Sequence, residues 1–165
     1  MPEVDPATPP HDGRATRRPA GDALTALVGQ VVQLIRLFTA AGEALAKPAG
    51  QTLARWLVLE AVQDLPAPVG QIARTMALAR QSVQRVADLL VRDGLAAYEE
   101  NPRHRRAKLL RLTPEGRRVL AAIQAEQRAW ADALGAEVGE AELRSASVVL
   151  DRALRVLRDR RPRGG

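Results

Sequence analysis

Large apolar residues recur every three or four positions through most of this chain, and that spacing predicts helices. Between 22 and 46, Leu24, Leu27, Val28, Val31, Leu34, Ile35 and Phe38 form one stripe, which ends at the Lys-Pro-Ala-Gly of 47–50. Thr52 is placed to cap a second helix carrying Leu53, Trp56, Leu57, Leu59 and Val62, which must stop ahead of Leu-Pro-Ala-Pro at 65–68. A short third helix starts near Pro68 and turns Ile72, Ala73 and Met76 inward. The fourth, about 80–93, puts Val83, Val86 and Leu90, with Ala79, on one side. Its other side carries Gln81, Gln84, Arg85, Asp88 and Arg92, a long polar face able to make hydrogen bonds.

The period changes after Gly94, a residue suited to a left-handed helix stop. Ala-Ala-Tyr-Glu-Glu (96–100) and Ala-Lys-Leu-Leu-Arg-Leu (107–112) read as two extended runs around Asn-Pro-Arg-His-Arg-Arg, a β-hairpin with a basic tip. Thr113 caps the next helix and Pro114 opens it; the helix, about 114–134, presents Val119, Leu120, Ile123, Trp130 and Leu134. A last helix, about 140–159, presents Leu143, Ala146, Val149, Leu150, Ala153, Leu154 and Leu157. A short helix, a turn, a helix with a polar face and a hairpin make a winged helix-turn-helix. The expected fold is therefore mainly α, in a single domain over 21–160. Its core is the winged helix at about 52–113, with the hairpin as a small wing. Helices at about 22–46 and 114–159 flank it. Their apolar faces extend beyond that core, so burial against a second copy is expected.

Composition agrees with one core built from Leu, Val and Ala: of 165 residues 46% are hydrophobic but only 2% aromatic. Residues 1–20 hold five prolines and almost no large apolar side chain, and are expected to be a disordered arm. Residues 161–165 read as a basic tail. No uninterrupted apolar run approaches the roughly 18 residues of a membrane span, and the start lacks a signal-peptide pattern. A cytoplasmic protein with no membrane partner is expected.

Charge sharpens the picture. The 25 basic residues outnumber 19 acidic ones, and only Lys47 and Lys108 are lysines. Arginine suits bidentate contact with phosphate or guanine, although a GC-rich genome produces the same bias. From 80 to 111, eight basic residues stand against four acidic ones, so positive charge gathers on the fourth helix and the hairpin. Catalytic chemistry finds no matching set. Ser82, Ser145 and Ser147 have no paired base, and Glu99 and Glu100 point to opposite faces of a strand. Cysteine is absent and the two histidines are His11 and His104, so no metal site or cofactor is expected.

The stretch GQIARTMALARQSVQRVADLLVRDGLAAYEENPRHRRAKLLRLTPEG resembles the DNA-binding core of the MarR (multiple antibiotic resistance regulator) family, with the match running over about 52–134. The resemblance implies a dimeric winged-helix transcription factor, often a repressor released by a small-molecule effector. It places Arg80, Gln81, Ser82, Gln84 and Arg85 at the start of the recognition helix, and Arg103, His104, Arg105 and Arg106 in the wing. Two departures from the family pattern stand out: Ala79 replaces the usual capping Ser or Thr, and Asn101 and His104 stand where acids are frequent. Phe38, Trp56 and Trp130 are candidates to line a ligand cleft, the alternative being ordinary core. The expected function is a homodimer on double-stranded DNA, repressing at a pseudo-palindromic operator. The rival readings are a non-specific architectural DNA binder and a winged-helix module for protein contacts.

Overall fold

A computed structural model describes residues 19–102 and 107–160. The expected arm and basic tail lie outside them, apart from Pro19 and Ala20, which open the first helix. The elements run α1 (Pro19–Ala46), a 3-10 turn (Lys47–Ala49), α2 (Leu53–Ala61), β1 (Ala67–Pro68), α3 (Val69–Thr75) and α4 (Arg80–Arg92). They continue with β2 (Ala96–Glu99), β3 (Leu109–Leu112), α5 (Pro114–Val138) and α6 (Glu140–Asp159). The chain divides into two compact units at Ala40 and Ala41.

The first unit holds most of α1. Leu24, Val28, Ile35 and Phe38 are all exposed there by half or more. Contrary to the expectation from uninterrupted runs, the helix over 19–49 is, by length and composition, long and apolar enough to cross a membrane, with an 18-residue window of mean hydropathy 1.5. Gly, Thr, Gln and the single Arg36 break the run at isolated positions without lowering its average far, which is why counting consecutive apolar residues misses it.

The second unit is a winged helix. Its core gathers Trp56, Val58, Leu59 and Val62 of α2 and its C-terminal end, Ile72 and Ala73 of α3, and Val83, Ala87 and Leu90 of α4. Leu95, Leu110, Leu112, Leu120 and Ile123 complete it. Helices α3 and α4 stop by the same device, a carbonyl of the last turn accepting from an N–H beyond it. At the ends of α3 and α4 the bonds are Leu78 N–H to Ala73 O (3.0 Å) and Leu95 N–H to Leu90 O (2.9 Å). Such a stop needs a left-handed residue. Gly94 supplies it at φ +74°, but after α3 the residue is Ala77 at φ +53°.

The sheet is antiparallel with β3 in the middle, order β1-β3-β2. Tyr98 faces Leu110 and Ala96 faces Leu112, while Ala67 pairs with Leu110 from the other side. The hairpin was legible in sequence; the third strand was not. Two residues carry no periodicity, and Pro68 is tolerated because β1 is an edge strand with no need of a donor there. Two other boundaries differ. Helix α5 runs on to Val138 instead of about 134, and Ala79 is the exposed N-cap of α4 and not part of its buried side.

One junction ties these parts together. Thr113 Oγ1 accepts from the Gly116 N–H (3.0 Å), capping α5, and donates to the Gly94 carbonyl (2.7 Å). The Leu95 carbonyl accepts from the Thr113 N–H at 3.1 Å. That carbonyl also sits where a Cβ on residue 116 would be, so only glycine lets α5 come this close. On α2, Arg55 donates to Gln51 Oε1 (2.6 Å) and pairs with Asp93 (2.8 Å) just past the end of α4. The Arg92 and Arg55 guanidiniums together hold the Asp93 carboxyl below its ordinary range.

Gly116→Ala is expected to destabilise the fold by roughly 2–4 kcal/mol, because backbone and not a flexible side chain must yield. A shift of the urea midpoint smaller than that of a solvent-face control such as Ala122→Ser would contradict it. Ala77→Gly is expected to act oppositely, raising stability by about 0.5–1 kcal/mol through relief of the left-handed alanine.

Candidate nucleic-acid interface

Helix α4 starts without a side-chain cap, as Ala79 foretold. Val83, Ala87 and Leu90 lock its inner side into the core, which fixes the rotation of the helix and so the direction of its polar side. Arg80, Gln81, Ser82 and Arg85 are exposed, and Gln84 is half-buried. A shallow surface along this face is lined by Arg80, Gln81, Gln84, Arg85, Asp88 and Arg92. Beside it lies a second depression, where α3, α4 and the wing meet. Arg74, Arg80 and Lys108 bring three cations there, with Gln71, Gln84 and Tyr98. The side chains of Arg74 and Arg80 both reach over Gly70, each about 4 Å from where its Cβ would stand. The structure thus brings four of the five expected recognition-helix residues onto one open face, and adds Arg74 and Lys108.

Gln84 behaves differently from its neighbours. Its Nε2 donates to Tyr98 Oη at 2.7 Å and to Asp88 Oδ1 at 2.9 Å, and Tyr98 Oη donates to the same Asp88 oxygen at 2.7 Å. This closed triangle joins α4 to strand β2 of the wing. Partial burial, then the hydrogen bond and charge of Asp88, push the Tyr98 hydroxyl up to about 12. Nothing in the helical period of α4 pointed to Tyr98. The available signal was the strand period, which puts Ala96 and Tyr98 on one face of β2.

The wing residues Arg103, His104, Arg105 and Arg106 lie outside the described residues. Their hairpin stem is held by Glu99 and Arg111, whose side chains pair at 3.1 Å on one face of the β2–β3 ladder. Asn101, at the foot of the loop, is buried. Of the candidate ligand residues, Trp56 is a core side chain whose Nε1 has no hydrogen-bond partner among the described residues. Trp130 is half-buried on α5, and Phe38 is exposed on α1. Among the described residues no cluster of three His, Cys, Asp or Glu is placed to hold a metal ion.

Known proteins share this architecture. A family model described as the MarR family matches residues 49–107. An uncharacterised protein of Mycobacterium tuberculosis is 40% identical over 141 residues, covering 86% of this chain and 99% of that one. Among solved structures, a MarR family transcription regulator is similar with a TM-score of 0.74 at 28% identity, over 85% of this chain and 96% of its own. A MarR family transcriptional regulator from Streptomyces coelicolor gives 0.69 at 27%, over 83% and 96%. Staphylococcus aureus MarR, solved in complex with salicylate and kanamycin, shares the fold, with a TM-score of 0.75 at 15% identity over 84% and 95%.

Tyr98 is the chain's single tyrosine, so tyrosinate absorbance reports it alone. With its folded value raised from 10.0 to about 12, the stability it contributes is full below pH 10 and is lost as the pH rises towards 12. The folded protein should titrate well above the urea-unfolded one, and Tyr98→Phe should flatten the fall in stability over that window. Coincident titration of folded and unfolded protein would rule out the triangle in solution.

Proposed function

Because this chain belongs to the MarR family of winged-helix, DNA-binding transcriptional regulators, we propose that it is a homodimeric repressor of a pseudo-palindromic operator, relieved by a small-molecule ligand. The observation that carries the DNA contact is the open face of α4, where Arg80, Gln81, Ser82 and Arg85 stand free above a fully buried inner side. Gln81 and Arg85 are positioned to reach base edges in the major groove. Arg74, Arg80 and Lys108, in the adjoining depression, suit the phosphate backbone, and the arginines of 103–106 extend the same role at the wing tip.

The homodimer is supported by apolar surface that the single chain leaves uncovered. No residue of α6 is buried, and Val148, Val149, Leu154 and Leu157 are exposed along it. Leu24, Val28, Val32, Ile35 and Phe38 of α1 are exposed as well. Patches of this kind on a soluble regulator call for a partner, and a second copy presents the same faces. This also accounts for the apolar length of α1 without a membrane. Two recognition helices held roughly 34 Å apart would meet successive major grooves. A ligand favouring another separation must weaken binding. The small molecules bound in the Staphylococcus aureus structure, salicylate and kanamycin, support a small-molecule effector, and within the second unit the buried Trp56 N–H, without a hydrogen-bond partner among the described residues, and Trp130 offer candidate contacts.

Selection of bound sequences from random duplex DNA, followed by affinity across a salt series, tests the whole reading. A palindromic winner bound at least about a thousandfold more tightly than a scrambled duplex is expected. Equal, salt-sensitive affinity for both would indicate an architectural binder. Arg85→Ala is expected to lose discrimination at one position per half-site, worth about 1–3 kcal/mol, whereas Arg105→Ala should weaken all duplexes alike and lower the salt slope by about one. Leu154→Glu is expected to give a folded monomer by sedimentation that binds the operator poorly; an intact dimer would show that α6 does not form the interface.

A further inference from the structure

The polar face of α4 has five members at its N-terminal half, but one of them is not free to turn. Glutamine reads adenine by a pair of hydrogen bonds, one donated by its amide and one accepted by its carbonyl. At Gln84 the amide nitrogen is already engaged, donating towards both Asp88 and Tyr98. Both partners are themselves fixed, since the Tyr98 proton goes to the Asp88 oxygen that also receives Gln84. Asp88 lies one helical turn further along α4, and Tyr98 stands on β2, so the amide is held from two elements at once. Gln84 Oε1 takes part in no hydrogen bond among the described residues. The side chain lines both the α4 surface and the depression beside the wing.

We infer that Tyr98 and Asp88 are specificity-positioning residues, which hold Gln84 as a single acceptor so that it selects a base with an exocyclic amino group in the major groove. This rests on the DNA-reading function proposed above. The chemistry follows from the groove edges. Cytosine N4 and adenine N6 donate, whereas guanine O6 and N7 and thymine O4 accept and would face the Gln84 oxygen with like polarity. A freely rotating glutamine would favour adenine, gaining two bonds. A tethered one gains a single bond from either amino base and is repelled by the other two. The Asp88 carboxylate adds to this bias, because a negative group beside the contact disfavours the acceptor-rich edge of guanine.

The measurement is again selection from random duplexes, read position by position, with wild type, Gln84→Ala, Tyr98→Phe and Asp88→Ala compared. Wild type should prefer cytosine or adenine over guanine or thymine at one position per half-site by about fivefold, the worth of one net hydrogen bond. Gln84→Ala should flatten that position and leave the others intact. Tyr98→Phe frees the amide nitrogen from one of its two partners, so preference there should move to adenine as cytosine falls, with the salt slope unchanged. Asp88→Ala should move it the same way, and being a surface substitution it serves where Tyr98→Phe perturbs folding. A wild-type preference for guanine or thymine at that position would overturn the inference. So would no flattened position in Gln84→Ala, or unchanged base preference in both tether variants. If wild type selects no sequence at all, the DNA-reading function falls, and the inference with it; selection by wild type with no effect of the variants defeats the inference alone.

Discussion

The second unit depends on how closely one helix can approach one carbonyl. The Leu95 oxygen lies just past the end of α4, accepts from the first residue after β3, and abuts the backbone of α5 at Gly116. Three elements distant in sequence meet within a few atoms, and the approach exists because residue 116 has no Cβ. From that point the geometry of the exposed face of α4 follows. The end of α4 is pinned, the two wing strands leave side by side, and Leu120 and Ile123 of α5 are brought down onto the core. Arg55 and Asp93 secure the same end of α4 from α2.

With its C-terminal end pinned and its inner side packed, α4 has little freedom left to roll, and its outer residues inherit a fixed direction. The surface they make is not uniform. Arg80 leans with Arg74 over Gly70 towards the wing, Gln81 and Arg85 stand clear, and Gln84 is committed to Tyr98 and Asp88. A face that looks like a row of equivalent polar residues is divided by its neighbours into side chains gathered beside the wing, side chains that stand clear, and one that is tied to two partners.

That division shows where sequence is informative and where it stops. Helix existence and facing were legible because burial imposes a period of 3.6: Val83 and Leu90 inside, Gln81 and Arg85 outside. Thr113 and Pro114 announced the start of α5 because capping is local chemistry, and Ala79 announced an uncapped α4 for the same reason. The three-stranded sheet was not legible, since β1 owes its existence to β3 and not to its own two residues. Tyr98 escaped notice because its partner lies on another element; a hydrogen bond between residues 84 and 98 leaves no trace in either one's local pattern. The apolar character of α1 was visible, but a count of unbroken runs undervalued it.

The joint between α5 and α6 is a single residue. Gly139 adopts φ +97° and ψ +137°, a conformation that residues with a Cβ rarely take up, so no other residue fits the bend comfortably. Helix α6 has 20 residues and is therefore roughly 30 Å long. Over that length a change of ten degrees at the joint carries the far end about 5 Å. The helix works as a lever whose fulcrum is one glycine. Small adjustments of that backbone are multiplied along an apolar face, so the aim of the whole C-terminal arm is inherited from two dihedral angles.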